Sequence, residues 1–223
     1  MTQTEGDRRV LEAGPADADA TLILLHGLGA DAEDLAPVAQ HLDLPESLRL
    51  RVVLPDAPVR AVTINGGARM RAWYDIDPAA GLDSGREEIV ESVGTVRTLI
   101  ERETERGVPA ARIVLGGFSQ GGVVALEAGL GHETRLAGIV ALSTYLHDAE
   151  GAGERVSLAS AETPIFMAHG RADPMIPIQR AAAARAALEK LGYRPGWHEY
   201  PMGHELCLEE LRDLSAWLAT TLA

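Results

Sequence analysis

The sequence predicts an α/β fold: a mostly parallel sheet with helices on both faces. Three observations carry that expectation. Short aliphatic runs alternate with longer helical patterns along most of the chain. The aliphatic runs are continuous, as strands buried on both faces require. A chain of 223 residues is ample for one core of this kind but leaves little room for a cap or lid domain.

Residues 1–20 read as an N-terminal extension carrying an edge strand. Thr21-Leu22-Ile23-Leu24-Leu25 is a buried strand that runs into the glycine turn His26-Gly27-Leu28-Gly29. Glu33 to Leu42 reads as a helix, and Leu50 to Leu54 as a second strand stopped by Pro55. Gly85 to Arg106 is the clearest helix. Ile89, Val93, Val96 and Ile100 recur at helical spacing, and Gly107-Val108-Pro109 closes it. Arg112 to Phe118 is the next strand, and Val123 to Leu130 a helix after it. Leu136 to Leu142 and Pro164 to Ala168 are two further strands. Pro177 to Leu191 is an alanine-rich helix and Trp197 to Tyr200 a last strand. Glu205 to Leu222 is an amphipathic helix with Leu211, Leu214, Trp217, Leu218 and Leu222 as its apolar stripe. Tyr74 to Gly85 and Asp148 to Thr163 are the longest irregular stretches, each placed to shape a site entrance. No repeat, low-complexity tract or domain linker interrupts residues 1–223, which are expected to form one domain.

Composition narrows the function. A formal net charge of −13 argues against a nucleic-acid partner and against electrostatic docking to anionic lipid. No segment approaches the ~20 apolar residues that cross a bilayer, and Met1 to Arg9 contains no apolar signal-peptide core. One cysteine, Cys207, cannot form an internal disulfide. These features favour the cytoplasm. No His, Cys, Asp or Glu grouping has metal-ligand spacing, and the glycine-rich turns form neither a P-loop nor a dinucleotide fingerprint. No metal and no cofactor is expected.

The chemistry concentrates at Gly117-Phe118-Ser119-Gln120-Gly121, of the form G-x-S-x-G, between a strand and a helix. A serine on that turn takes a strained backbone that holds its hydroxyl clear of the sheet. A hydroxyl becomes nucleophilic when a base takes its proton, and the base needs a third group to fix its tautomer. In α/β hydrolases the chain order is Ser, then Asp or Glu, then His. Asp173 follows the Pro164–Ala168 strand within His169-Gly170-Arg171-Ala172-Asp173-Pro174. His204 follows the Trp197–Tyr200 strand within Pro201-Met202-Gly203-His204-Glu205. Ser119, Asp173 and His204 therefore lie on three strand-end loops that can converge at one sheet edge. The backbone N–H groups of Gln120 and Leu28 are the candidate oxyanion donors.

Five motifs occurring in order resemble one family. They are Leu25-His26-Gly27-Leu28-Gly29-Ala30-Asp31, Ala57-Pro58-Val59…Asn65-Gly66-Gly67…Trp73-Tyr74-Asp75-Ile76, Gly117-Phe118-Ser119-Gln120-Gly121-Gly122, His169 to Pro174, and Met202-Gly203-His204. The chain resembles, from about Leu22 to its last helix, the small serine carboxylesterase, phospholipase and acyl-protein thioesterase family of α/β hydrolases. The Gly-Ala-Asp and Asn-Gly-Gly…Trp-Tyr-Asp segments look most like its bacterial carboxylesterase branch. The resemblance implies a Ser119–His204–Asp173 triad, oxyanion donors at Leu28 and Gln120, and an acyl pocket lined by Trp73. It also allows a homodimer.

Structural uses compete for each residue. Ser119 could cap the helix after it, and Asp173 could be a turn residue before Pro174. Asp148 is the competing acid, in a looser segment. His169 reads as structural, His26 as a brace of the first turn, and Cys207 as a small apolar residue buried on the final helix. The expected activity is hydrolysis of short-to-medium acyl esters, a small-molecule substrate, through an acyl-enzyme. Acyl-protein thioesterase or lysophospholipase activity is the alternative, because the same triad cleaves both bond types. A catalytically silent binding module would require a broken triad, and each member is present.

Overall fold

A computed structural model describes residues 2–5, 8–81 and 84–223. The chain starts with strands β1 (Thr2–Glu5) and β2 (Arg8–Ala13). Strand β3 (Ala20–Leu25) is followed by a 3-10 turn, Ala32–Leu35, and a short helix α1 (Ala36–His41). Strand β4 (Leu50–Pro55) precedes a small hairpin, β5 (Val59–Val62) and β6 (Ala68–Arg71). Then come α2 (Arg86–Glu105), β7 (Ile113–Phe118), α3 (Gln120–Leu130) and β8 (Gly138–Leu142). Strand β9 (Ile165–Gly170), α4 (Ile178–Lys190), β10 (Gly196–Tyr200) and α5 (Leu208–Thr221) complete it.

Eight strands form one sheet in the order β1-β2-β4-β3-β7-β8-β9-β10. From β4 to β10 every neighbour is parallel, and only β1 and β2 join antiparallel at one edge. The chain leaves β3 to one side for β4 and returns to its other side for β7. That reversal opens a crevice at the carboxyl ends of β3 and β7, where ligands bind in such sheets.

Side chains alternate across the pleat into two layers. Val114, Val140, Leu142, Phe166 and Ala168 face Leu211, Leu214 and Leu218 of α5 and Val38 of α1. On the opposite face Leu115 packs with Val96 and Ile100 of α2 and Val124 of α3. Ile139, Ile165 and Met167 continue that face against Ala184 and Leu188 of α4. Each fully buried aliphatic side chain contributes ~1.5–3 kcal/mol, so the layers hold the sheet's carboxyl edge rigid. No large lid domain covers that edge among the described residues.

Several expectations are corrected. The helix over Glu33–Leu42 is a 3-10 turn capped by Asp31 and then α1, because Pro37, near the start of α1, removes an N–H donor. Pro55 is the last residue of β4 rather than the residue after it, paired with Val10 at the antiparallel edge. The β5–β6 hairpin leaves no strand signature in the sequence, because its short strands are half-exposed and lack a clear apolar alternation. The last helix starts at Leu208, not Glu205. Cys207 is its half-buried N-cap, with Glu210 completing a capping box, and not a core residue on the helix.

Candidate active site

Ser119 sits between β7 and α3 with φ 55° and ψ −119°, a conformation rare outside glycine. Its surroundings over-determine that strain. The Ser119 N–H donates to the Leu142 carbonyl at 2.9 Å, and the Thr144 hydroxyl donates to the Ser119 carbonyl at 2.7 Å. The flanking glycines are required by close approach. A Cβ at Gly117 would strike the Gly121 backbone, and one at Gly121 the carbonyls of Leu25 and His26. The start of α3 thus lies directly on the end of β3. Ser119 makes no side-chain cap for α3, which leaves its hydroxyl for other use.

That hydroxyl lies 2.9 Å from Nε2 of His204, and Nδ1 of His204 lies 2.7 Å from Oδ2 of Asp173. The His204 ring packs on Phe118 with centroids 4.8 Å apart. Oδ1 of Asp173 accepts the N–H groups of Met175 at 2.8 Å and Ile176 at 2.9 Å, so the carboxylate is both a turn residue and a partner of His204. Burial pushes the Asp173 carboxyl up, but the His204 ring and the two backbone donors outweigh it and hold it below its usual range. Asp148, the competing acid, is instead paired with Arg155 at 2.7 Å.

Leu28 and Gln120 both line the cleft beside Ser119. Gln120 is the first residue of α3, so its N–H has no intrahelical acceptor and lies at the positive end of the helix dipole. His26 braces the turn that carries Leu28. Its Nε2 accepts the Ala57 N–H at 2.9 Å, so the ring proton is on Nδ1, which donates to the Gly27 carbonyl at 2.7 Å. Burial lowers the pKa of His26, in keeping with that role.

Trp73 does not line the cleft, and the acyl-pocket expectation is corrected. Its indole N–H turns to the His26 carbonyl, to which it donates at 2.8 Å, and its ring is not among those lining the cleft. A large ring with one donor fits best beneath the turn, where that donor is satisfied. The neighbouring Tyr74 lines the cleft instead. Gln120 has a side-chain role that the sequence did not disclose. Its Oε1 accepts the Trp73 N–H at 2.7 Å and its Nε2 donates to the Tyr74 carbonyl at 2.7 Å.

The cleft has a volume of about 620 Å³. Leu35, Phe118 and Leu206 on one side belong to the α1/α5 layer, whereas Tyr74, Ile76, Tyr145 and Ile176 belong to the α2/α3 layer. Ser119 stands where the layers meet. Ile64 joins the second wall through its N–H, which donates to the Ile76 carbonyl at 2.9 Å. Of the two irregular stretches, only the first contributes lining residues. Arg155 ties the second to Glu127 of α3, away from the cleft.

The sheet order, helical layers and carboxyl-edge cleft define an α/β-hydrolase fold. Residues 7–222 match the Phospholipase/Carboxylesterase family; the chain belongs to that family of hydrolases. Acyl-protein thioesterase 1 of Neurospora crassa is 39% identical over 213 residues, covering 91% of this chain and 87% of that protein. SOBER1 of Arabidopsis thaliana superposes with a TM-score of 0.85 at 26% identity, covering 92% of this chain and 99% of that one. Acyl-protein thioesterase 2 of Zea mays superposes at 0.83 with 25% identity, covering 98% and 100%. No helix among the described residues is long and apolar enough to cross a membrane.

Proposed function

We propose that the chain is a serine hydrolase, one catalytic domain that cleaves short-to-medium acyl esters through an acyl-enzyme. The observation that carries this reading is the run of contacts from the Ser119 hydroxyl to His204 at 2.9 Å and from His204 to Asp173 at 2.7 Å. Asp173 accepts from Nδ1 of His204, which leaves the lone pair on Nε2 facing the serine. Ser119 Oγ attacks the substrate carbonyl while His204 Nε2 takes its proton. The carbonyl oxygen becomes an oxyanion, received by the N–H groups of Leu28 and Gln120, each worth roughly 10²–10³ in turnover. His204 then gives its proton to the leaving oxygen or sulfur. Water repeats the sequence on the acyl-enzyme and restores Ser119.

The proton's path orients the substrate. The leaving group must reach His204, which packs on Phe118 next to Leu206, so it occupies that side. The acyl chain takes the opposite arm, along Tyr74, Ile76, Tyr145 and Ile176. Thioesters are a second reading on equal footing, favoured by the 39% identity to an acyl-protein thioesterase. The single cysteine fits a reducing compartment such as the cytoplasm.

Hydrolysis of p-nitrophenyl acetate, butyrate, octanoate and palmitate by wild type and Ser119→Ala tests the proposal. Activity on the shorter esters that collapses in the variant is the expected result. Wild-type inactivity on every ester would move the reading to thioesters. A palmitoylated peptide cleaved far faster than the aryl esters would do the same.

A further inference from the structure

We propose that His169 is a positioning residue that locks the loop from Asp173 to Ile176, and with it the carboxylate that orients His204; the inference rests on the triad reading above. His169 lies near the end of β9, wholly buried and outside the residues that line the cleft. It cannot reach substrate, so any part in the reaction is exerted through its neighbours.

Its Nε2 is 2.8 Å from the Ile176 carbonyl oxygen and 3.4 Å from Oδ2 of Asp173. A carbonyl and an ionised carboxylate only accept, so Nε2 carries the proton and donates. The ring's other nitrogen, Nδ1, is then a buried acceptor, and it has no hydrogen-bond partner among the described residues. An orphaned buried acceptor costs free energy that leucine or methionine at this position would avoid. The imidazole's advantage over those side chains is the Nε2–H donor.

That donor grips the loop from beneath. Ile176 is held at both ends: its N–H donates to Asp173 Oδ1 at 2.9 Å and its carbonyl accepts from His169. Met175 supplies the second donor to Oδ1, and Pro174 between them has no N–H to offer. Oδ1 is fixed by two backbone donors, and one of them, Ile176, is fixed in turn by His169. Oδ2 thereby stays directed at His204. Loss of the grip frees the Ile176 carbonyl, and the loop turns to satisfy it. A displacement of about 1 Å at a catalytic group costs on the order of 10²-fold in rate.

The test compares His169→Leu, which fills the space without a donor, with His169→Gln, whose amide nitrogen reaches the Nε2 position. Each is assayed on p-nitrophenyl butyrate, by thermal melting, and by the low-field proton resonance of the His204–Asp173 hydrogen bond. Expected for Leu is a kcat lower by about 10- to 100-fold, KM within about 3-fold, and loss of the resonance. Gln should restore most of kcat and the resonance. A Leu variant that melts lower but keeps kcat and the resonance would reduce His169 to a packing residue and overturn the proposal. If Leu does not fold, His169→Asn serves instead, since its amide reaches only the Nδ1 position. Asn matching Gln in kcat would also overturn it. Wild-type inactivity on all esters and thioesters would count against the hydrolase reading alone; the resonance would still decide the role of His169.

Discussion

The side-chain carbonyl of Gln120 accepts the main-chain N–H of Trp73 at 2.7 Å, joining the residue after the serine to the brace beneath the first turn. The same amide donates to the Tyr74 carbonyl at 2.7 Å, so one side chain holds the peptide groups on either side of the Trp73–Tyr74 pair. The turn that carries Leu28, the Tyr74 wall and the start of α3 are coupled through it. Gln120→Ala removes two hydrogen bonds from a buried site, which should destabilise the fold by ~1–3 kcal/mol. The Tyr74 wall should shift as well and lower kcat, although the Gln120 N–H itself survives the substitution. Urea denaturation and p-nitrophenyl butyrate kinetics check both effects. Unchanged stability would mean that the clamp carries no weight.

The acyl arm predicts a chain-length determinant. The hydroxyls of Tyr74 and Tyr145 lie 3.0 Å apart, and the Arg180 guanidinium covers the Tyr145 ring at 4.2 Å from its centroid. Tyr145 is therefore held rigidly against the arm. Tyr145→Ala should extend the arm and bury more of a longer chain. Two extra buried methylenes at ~0.8 kcal/mol each amount to about a 10-fold rise in the octanoate-to-butyrate ratio of kcat/KM. Tyr145→Phe, which keeps the ring, should move that ratio by less than about 3-fold. A ratio indifferent to Tyr145→Ala would put the acyl chain in the other arm.

The leaving-group side carries a charge prediction. Asp34 and Glu205 line the cleft next to Leu35 and Leu206, and no Lys or Arg lines it among the described residues. Both carboxylates are exposed, so each should change kcat/KM for a charged leaving group by only about two- to fivefold. Octanoyl thioesters of thiocholine, of a neutral thiol and of coenzyme A should be hydrolysed in that order at low ionic strength. The order should flatten in 0.5 M salt, where the screening length falls to about 4 Å. It should flatten equally in the double variant Asp34→Asn, Glu205→Gln. The asparagine side chain keeps an oxygen for the Asp31 N–H that Asp34 now accepts at 2.8 Å, so the turn is preserved. Coenzyme A thioesters cleaved as fast as thiocholine esters would refute the charge effect.

Much of this architecture was legible because buried parallel strands write continuous aliphatic runs, and Leu22 to Leu25 and Ile113 to Leu115 are of that kind. Ser119 and Asp173 could be read as candidates because each follows such a run, and His204 because it follows the shorter, half-exposed Trp197–Tyr200 strand; strand ends of a parallel sheet share one edge. The cleft walls were not legible. Ile64 and Ile76 meet through a main-chain bond in a segment with no periodicity, and Tyr145 reaches Tyr74 across 71 residues. Trp73 was misplaced for a related reason. A motif says that a large ring is needed nearby, but not which way it points, and here its N–H decided the matter by reaching the His26 carbonyl. The half-exposed β5–β6 hairpin lacks the pattern that burial imposes.

Glu210 predicts a pH-dependent stability. Its side chain is fully buried at the start of α5; among the described residues Oε1 has no hydrogen-bond partner, and Oε2 accepts a long 3.4 Å bond from the Cys207 N–H. Burial pushes its pKa up to about 8, and the Cys207 N–H pulls it back only in part. The folded protein thus keeps a proton that the unfolded chain, with a carboxyl near its ordinary 4.5, releases. Where the folded state binds more protons, stability falls as pH rises. The window runs from about pH 5 to about pH 8, with a slope of up to ~1.4 kcal/mol per unit. Asp173 has the opposite sign, since its depressed pKa stabilises the fold above the unfolded value and loses that effect in acid. Comparison with Glu210→Gln removes Asp173 from the reckoning, because both proteins contain it. Gln preserves an acceptor for Cys207 and carries no charge at any pH. The variant should match wild type near pH 5 and be more stable at about pH 8.5, by roughly 1–3 kcal/mol in urea denaturation. A difference that stays constant from pH 5 to 8.5 would show that Glu210 does not titrate in this range.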